Sequence, residues 1–82
     1  MDIHTIIEQT NHFLIEEIEV DPTLLRPTAN LREDLGIDSL DFVDIVVLVE
    51  RIFGFKIKAE EMTGVKTLEE FYRYIDKKLS TK

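Results

Sequence analysis

An aspartate followed by a proline, Asp21-Pro22, interrupts the chain a quarter of the way along, because the residue before a proline avoids the helical region. Upstream of that break, Ile3, Ile6, Ile7, Leu14 and Ile18 fall near helical spacing, with polar Glu8, Gln9, Asn11 and Glu16 between them. The spacing predicts an amphipathic first helix that Asp2 caps and that ends between Glu17 and Val20. Downstream, a long connection passes through Pro27 and Asn30 to Gly36. Leu24, Leu25, Leu31, Leu35 and Ile37 make it too apolar for a free linker, so it is expected to pack on the core.

A second helix is expected from Asp38-Ser39 to about Phe53, where Gly54 supplies a C-terminal stop. Lys56-Ile57-Lys58 reads as extended, and Ala59-Glu60-Glu61-Met62 has room for one helical turn before Gly64. The last helix carries the clearest signal. Thr67-Leu68-Glu69-Glu70 forms a capping box, Leu68, Phe71, Tyr72, Ile75 and Leu79 share one face, and Lys77 and Lys78 suit the C-terminal end of the helix dipole. Strands are nearly absent from this reading. The expected fold class is all-α: a small four-helix bundle, three main helices and a short one, forming a single domain over 1–82. Leu40, Val43, Ile45, Leu48, Val49 and Phe53 are expected to join Leu68, Phe71 and Ile75 in its core.

Composition bounds the function. A chain of 82 residues has room for one modest core and little room for a deep catalytic cleft. Seventeen acidic residues against ten basic ones give a net charge of -7, which repels nucleic acid and anionic membranes and favours partners with basic surfaces. The absence of cysteine excludes disulfides, thiolate metal sites and a cysteine nucleophile. Any thiol chemistry must come from an attached group. Met1-Asp2-Ile3-His4 lacks a basic leader and a long apolar run, so neither a signal peptide nor a membrane span is expected, and a cytoplasmic location is the default. His4 and His12 read as solvated residues of the first helix. No metal site and no nucleophile–base pair is expected, and the chain does not read as an enzyme.

One segment stands apart. In Glu33-Asp34-Leu35-Gly36-Ile37-Asp38-Ser39-Leu40-Asp41, a serine lies where a packed loop meets a helix N-terminus. A phosphate ester there would meet free backbone N–H groups and the positive end of the helix dipole. From the segment alone, Ser39 is equally well explained as an N-cap, with Asp38 and Asp41 added for the dipole.

Leu35-Gly36-Ile37-Asp38-Ser39-Leu40 resembles the Gly-x-Asp-Ser-Leu signature of acyl and peptidyl carrier proteins. The resemblance continues through Val43, Asp44, Ile45, Val46, Val47, Glu50, Phe53, Ile57, Glu60-Glu61, Thr67 and Tyr74-Ile75, and more loosely through the first helix. It implies that Ser39 is the covalent attachment point of a 4'-phosphopantetheine arm, delivered from coenzyme A by a phosphopantetheinyl transferase, with magnesium belonging to the transferase. The arm supplies the missing sulfur, and acyl groups ride on it as thioesters between acyl-transferring and chain-elongating enzymes of fatty-acid or polyketide-type synthesis. Carriers of this family hold the acyl chain between their helices, and the chain is expected to be a monomer.

Between Glu33 and Glu50 the acids Glu33, Asp34, Asp38, Asp41, Asp44 and Glu50 occur with no basic residue after Arg32. Such a one-signed patch steers a shuttle to basic enzyme surfaces in fast, salt-sensitive encounters. Asp38, Asp41, Asp44 and Glu50 are the charged candidates for recognition, joined by Phe42, Val46 and Val47. Phe42 and Ile52 stand where the common fatty-acid carriers have small polar or acidic residues, and Arg51 replaces an acid. Ser39, Phe42, Val46 and Glu50 lie near one stripe, so Phe42 and Val46 are expected beside the arm, the alternative being that Phe42 packs beneath the loop. If exposed, they point to a dedicated pathway. Rival readings are an aminoacyl, peptidyl or D-alanyl carrier, and an unmodified helical adaptor that binds proteins through its acidic helix.

Overall fold

The computed structural model describes residues 2–80. The first helix, α1 (Ile3–Glu16), starts where the Asp2 carboxylate accepts the His4 and Thr5 N–H groups at 2.6 and 3.2 Å, meeting two of the donors that a helix start leaves unpaired. Its end is set before the proline. Glu19 takes a left-handed backbone (φ 63°), which turns the chain so that the Val20 N–H donates to the Leu14 carbonyl at 2.9 Å. A 3₁₀ turn at Pro22–Leu24, absent from the sequence reading, follows. There the Asp21 carboxylate accepts the Thr23 N–H and hydroxyl at 2.9 and 2.8 Å, and those bonds hold the Asp21 carboxyl below its ordinary range.

The remaining helices are α2 (Ser39–Phe53), α3 (Ala59–Met62) and α4 (Leu68–Ser80). Gly54 closes α2 in the left-handed conformation that favours glycine, φ 81°. The capping box of α4 forms as expected: the Thr67 hydroxyl accepts the Glu70 N–H at 3.3 Å while the Glu70 carboxylate accepts the Thr67 N–H at 3.1 Å. Among the described residues there is no strand, only an isolated antiparallel bridge between Asn30 and Thr67.

That bridge marks how the long connection is held. Leu31 donates its N–H to the Lys66 carbonyl, Leu68 to Ala29 and Glu69 to Pro27, each at 2.9 Å, so loop carbonyls satisfy the open first turn of α4. Ala29, Leu35 and Ile37 are buried with Ile6, Phe13 and Leu14 of α1, Ile45, Val49 and Phe53 of α2, Met62 of α3 and Leu68, Phe71 and Ile75 of α4. The result is an all-α bundle in which α1 packs along α4 and the connection covers the ends of α2 and α4. Its radius of gyration, 11.5 Å, is close to the roughly 12 Å of a compact chain of this length.

Two core expectations are corrected. Leu40 and Val43 are 78% and 61% exposed. Ile45, Val49 and Phe53, each one turn after the last, occupy the inward line of α2, and half-buried Phe42, Val46, Leu48 and Ile52 fill its flanks. No inward position remains for Leu40 or Val43, which share the opposite side with the 49% exposed Val47.

Candidate functional site

The site begins at Gly36, whose φ of 71° lets the loop reverse after Leu35 and aim Ile37 inward and Asp38 outward. The loop before it is braced from within. Asn30 accepts the Arg32 and Glu33 N–H groups on its side-chain oxygen at 3.0 and 2.9 Å, and Asp34 accepts the Asn30 N–H at 2.7 Å. Asp34 is therefore part of the loop's own framework.

Asp38 is the N-cap of α2. Its carboxylate accepts the Asp41 N–H at 3.0 Å, and the Asp41 carboxylate accepts the Asp38 N–H at 3.3 Å, a capping box built from two aspartates. This corrects the capping reading of Ser39, which is the first residue inside the helix. Its side chain is exposed, and among the described residues its hydroxyl has no hydrogen-bond partner. Nor do the Ser39 and Leu40 N–H groups find a partner there, which leaves two backbone donors at the positive end of a fifteen-residue helix beside a free hydroxyl. A phosphodiester on Ser39 Oγ fits this arrangement without displacing any existing bond.

Ser39 also stands at the edge of a cavity of about 600 Å³. Its exposed and half-buried polar lining includes Asn30, Arg32, Glu33, Asp38 and Lys66. Its apolar lining is Ile37, Phe42 and Ile45 from the loop and α2, with Met62, Val65 and Phe71 from α3, the segment after it and α4. Phe42, one turn after Ser39, is half-buried and packed against the core, and so is Val46. These two therefore belong to the inner flank of α2. The outer surface of the helix carries Leu40, Val43, Asp44, Val47 and Glu50, all exposed. Asp44 and Glu50 take no side-chain hydrogen bond or ion pair among the described residues, whereas Asp34, Asp38 and Asp41 are engaged locally. His4 and His12 are exposed on α1, and among the described residues no three His, Cys, Asp or Glu side chains are grouped to hold a metal.

Residues 13–75 match the family described as the phosphopantetheine attachment site. The chain belongs to the acyl carrier protein family. It is 32% identical over 80 residues to the acyl carrier protein of Thermosynechococcus vestitus, covering 98% of this chain and 99% of the relative. To the acyl carrier protein of Rubrobacter xylanophilus it is 35% identical over 75 residues, covering 92% and 93%. As an acyl carrier protein it is a non-catalytic carrier whose prosthetic group is 4'-phosphopantetheine, and the carrier domain implies encounters with a phosphopantetheinyl transferase and with biosynthetic enzymes. No described helix of this carrier is long and apolar enough to cross a membrane.

Proposed function

We propose that Ser39 carries the phosphopantetheine arm and that the chain is a monomeric, cytoplasmic carrier of acyl groups for fatty-acid or polyketide-type synthesis. The observation that carries this reading is the free Ser39 hydroxyl, beside two unpartnered N–H groups and at the edge of an apolar cavity. In the transfer, Ser39 Oγ loses its proton and attacks the coenzyme A pyrophosphate at the phosphorus attached to pantetheine. The phosphoanhydride bond breaks, 3',5'-adenosine bisphosphate leaves, and a serine phosphodiester remains. When bound, the arm supplies a terminal thiol that holds acyl groups as thioesters.

This chain's residues do the rest. The Ser39 and Leu40 N–H groups would hold the phosphodiester, and Ile37, Phe42, Ile45, Met62, Val65 and Phe71 would line an apolar chain. Leu40, Val43 and Val47, bordered by Asp44 and Glu50, form an exposed apolar strip on α2. Carboxylates around such a strip speed encounter with basic enzyme surfaces, and the apolar centre gives a small area of burial, so contacts are brief. Both relatives named above are acyl carrier proteins, which favours acyl over aminoacyl cargo.

The test is intact mass after incubation with coenzyme A, magnesium and a broad-specificity phosphopantetheinyl transferase. A single phosphopantetheine addition to the native chain, lost in Ser39→Ala, is the expected result. No addition to a folded native chain would favour the unmodified adaptor.

A further inference from the structure

The cavity wall opposite α2 includes the weakest element of the fold. α3 has four residues, its N-cap Lys58 makes no side-chain capping bond, and yet it supplies Ala59 and Met62, with Thr63 just beyond, to the cavity lining. A single turn has almost no intrinsic stability, because nucleation fixes several backbone dihedrals for very few hydrogen bonds. Met62 is buried, which holds one side of the turn, but the cavity itself removes packing from that side.

The opposing tie centres on one carboxylate, beside a backbone contact from Lys58 to the Tyr74 hydroxyl. Glu61 accepts the Tyr74 hydroxyl at 2.9 Å, and Lys78 Nζ lies 2.8 and 2.9 Å from its two oxygens. Tyr74 and Lys78 are one turn apart on α4. Lys78 also lies over the Tyr74 ring, 5.8 Å from its centre, and Phe55 packs edge-on against that ring at 6.1 Å between centres. Burial and the Glu61 bond push the Tyr74 hydroxyl up to about 12, so it stays a donor. Glu61 is not among the residues that line the cavity. It can act on cargo only through the position of α3.

We propose that Glu61 is a positioning residue for cargo: by clamping α3 to Tyr74 and Lys78 it holds the Ala59–Met62–Thr63 wall closed on an acyl chain, and its release lets the wall swing out. This rests on the carrier reading given above. It assigns the gating of the cavity to a side chain remote from Ser39 and from the exposed strip of α2.

The experiment compares the native chain with Glu61→Ala and Glu61→Gln, each unloaded and loaded with an octanoyl-phosphopantetheine arm from octanoyl-coenzyme A. Amide exchange in the unloaded proteins reads the wall directly, through the Glu61 N–H bonded to Lys58 and the Val65 N–H bonded to Met62. Glu61→Ala should speed exchange at these two amides by about fivefold or more, leave the α1 core amides unchanged, and cut the rise in melting temperature on octanoyl loading to about half or less. Glu61→Gln keeps an acceptor for Tyr74 and should fall between. Unchanged α3 exchange, an equal rise in α1 and α3, or an undiminished octanoyl effect would each overturn the proposal. Failure of the folded native chain to take the arm, read by intact mass, would sink the carrier reading instead, and the exchange data would still decide whether Glu61 holds α3.

Discussion

Asp38 and Asp41 exchange hydrogen bonds across the first turn of α2, each carboxylate accepting the other's backbone N–H, at 3.0 and 3.3 Å. By taking over the capping of α2, this pair leaves the intervening serine with no structural duty.

Ser39→Ala should therefore leave stability within about 0.5 kcal/mol of the native chain while abolishing attachment of the arm, whereas Asp38→Ala should cost about 1 kcal/mol. Urea denaturation of the unmodified proteins measures both. A large loss in Ser39→Ala would mean that the hydroxyl has a bond in solution that the fold does not show.

The two sides of α2 should respond oppositely to substitution. Leu40→Asn and Val43→Asn, on the exposed strip, are expected to change stability by no more than about 0.5 kcal/mol but to slow modification by the transferase, with the native rate less sensitive to salt than it would be for a purely charged contact. Ile45→Ala, at a position 3% exposed, should cost about 2–4 kcal/mol. Equal destabilisation on both sides, measured by urea denaturation, would return Leu40 and Val43 to the core.

Thr10 is fully buried on α1, and its hydroxyl has no hydrogen-bond partner among the described residues. Replacing it with the similarly shaped valine removes a polar group that lost its water on folding and gained nothing. Thr10→Val should raise stability by about 1–2 kcal/mol, which for a domain of this size is a melting shift of several degrees.

Acid should loosen the start of α4. The Thr67 and Lys66 N–H groups and the Thr67 hydroxyl donate to Glu70, holding its carboxyl below the ordinary value of 4.5. A depressed folded-state value means that the unfolded chain binds the proton first. The Glu70 contribution is thus present above about pH 4.5 and is lost as pH falls from there through the lowered folded value. Melting temperature against pH should drop over that window, and Glu70→Gln should flatten the drop.

Much of this fold is legible in local chemistry. Asp2 as a cap, Gly54 as a stop and the Thr67–Glu70 box each depend on residues within four positions of one another, and each forms as the sequence predicts. Which apolar residues of α2 face inward is not legible, because every position from Leu40 to Val49 is apolar or acidic and the periodicity admits two adjacent faces. Only packing against α1 and α4 chooses between them. Phe42 illustrates this, since its neighbours in sequence allow an exposed or a packed ring, and the cavity fixes the packed one. The cap of α2 stays open in the sequence for a different reason: Asp38 and Ser39 are both good caps, and the decision lies in the extended backbone of Asp38. The Glu61 clamp spans 13 and 17 residues, a separation at which no sequence spacing signals contact.

The loop that presents Ser39 hangs from the far end of the chain. Pro27 and Ala29 give their carbonyls to Glu69 and Leu68, and Leu31 reaches forward to Lys66, so the segment leading to the serine is anchored by residues translated well after it. On a ribosome, α2 can emerge with its serine in view while the strap that orients it still has nothing to fasten to. If Ser39 carries the arm as proposed, a transferase that requires the ordered loop has to wait for α4, and a chain truncated within α4 should not be charged.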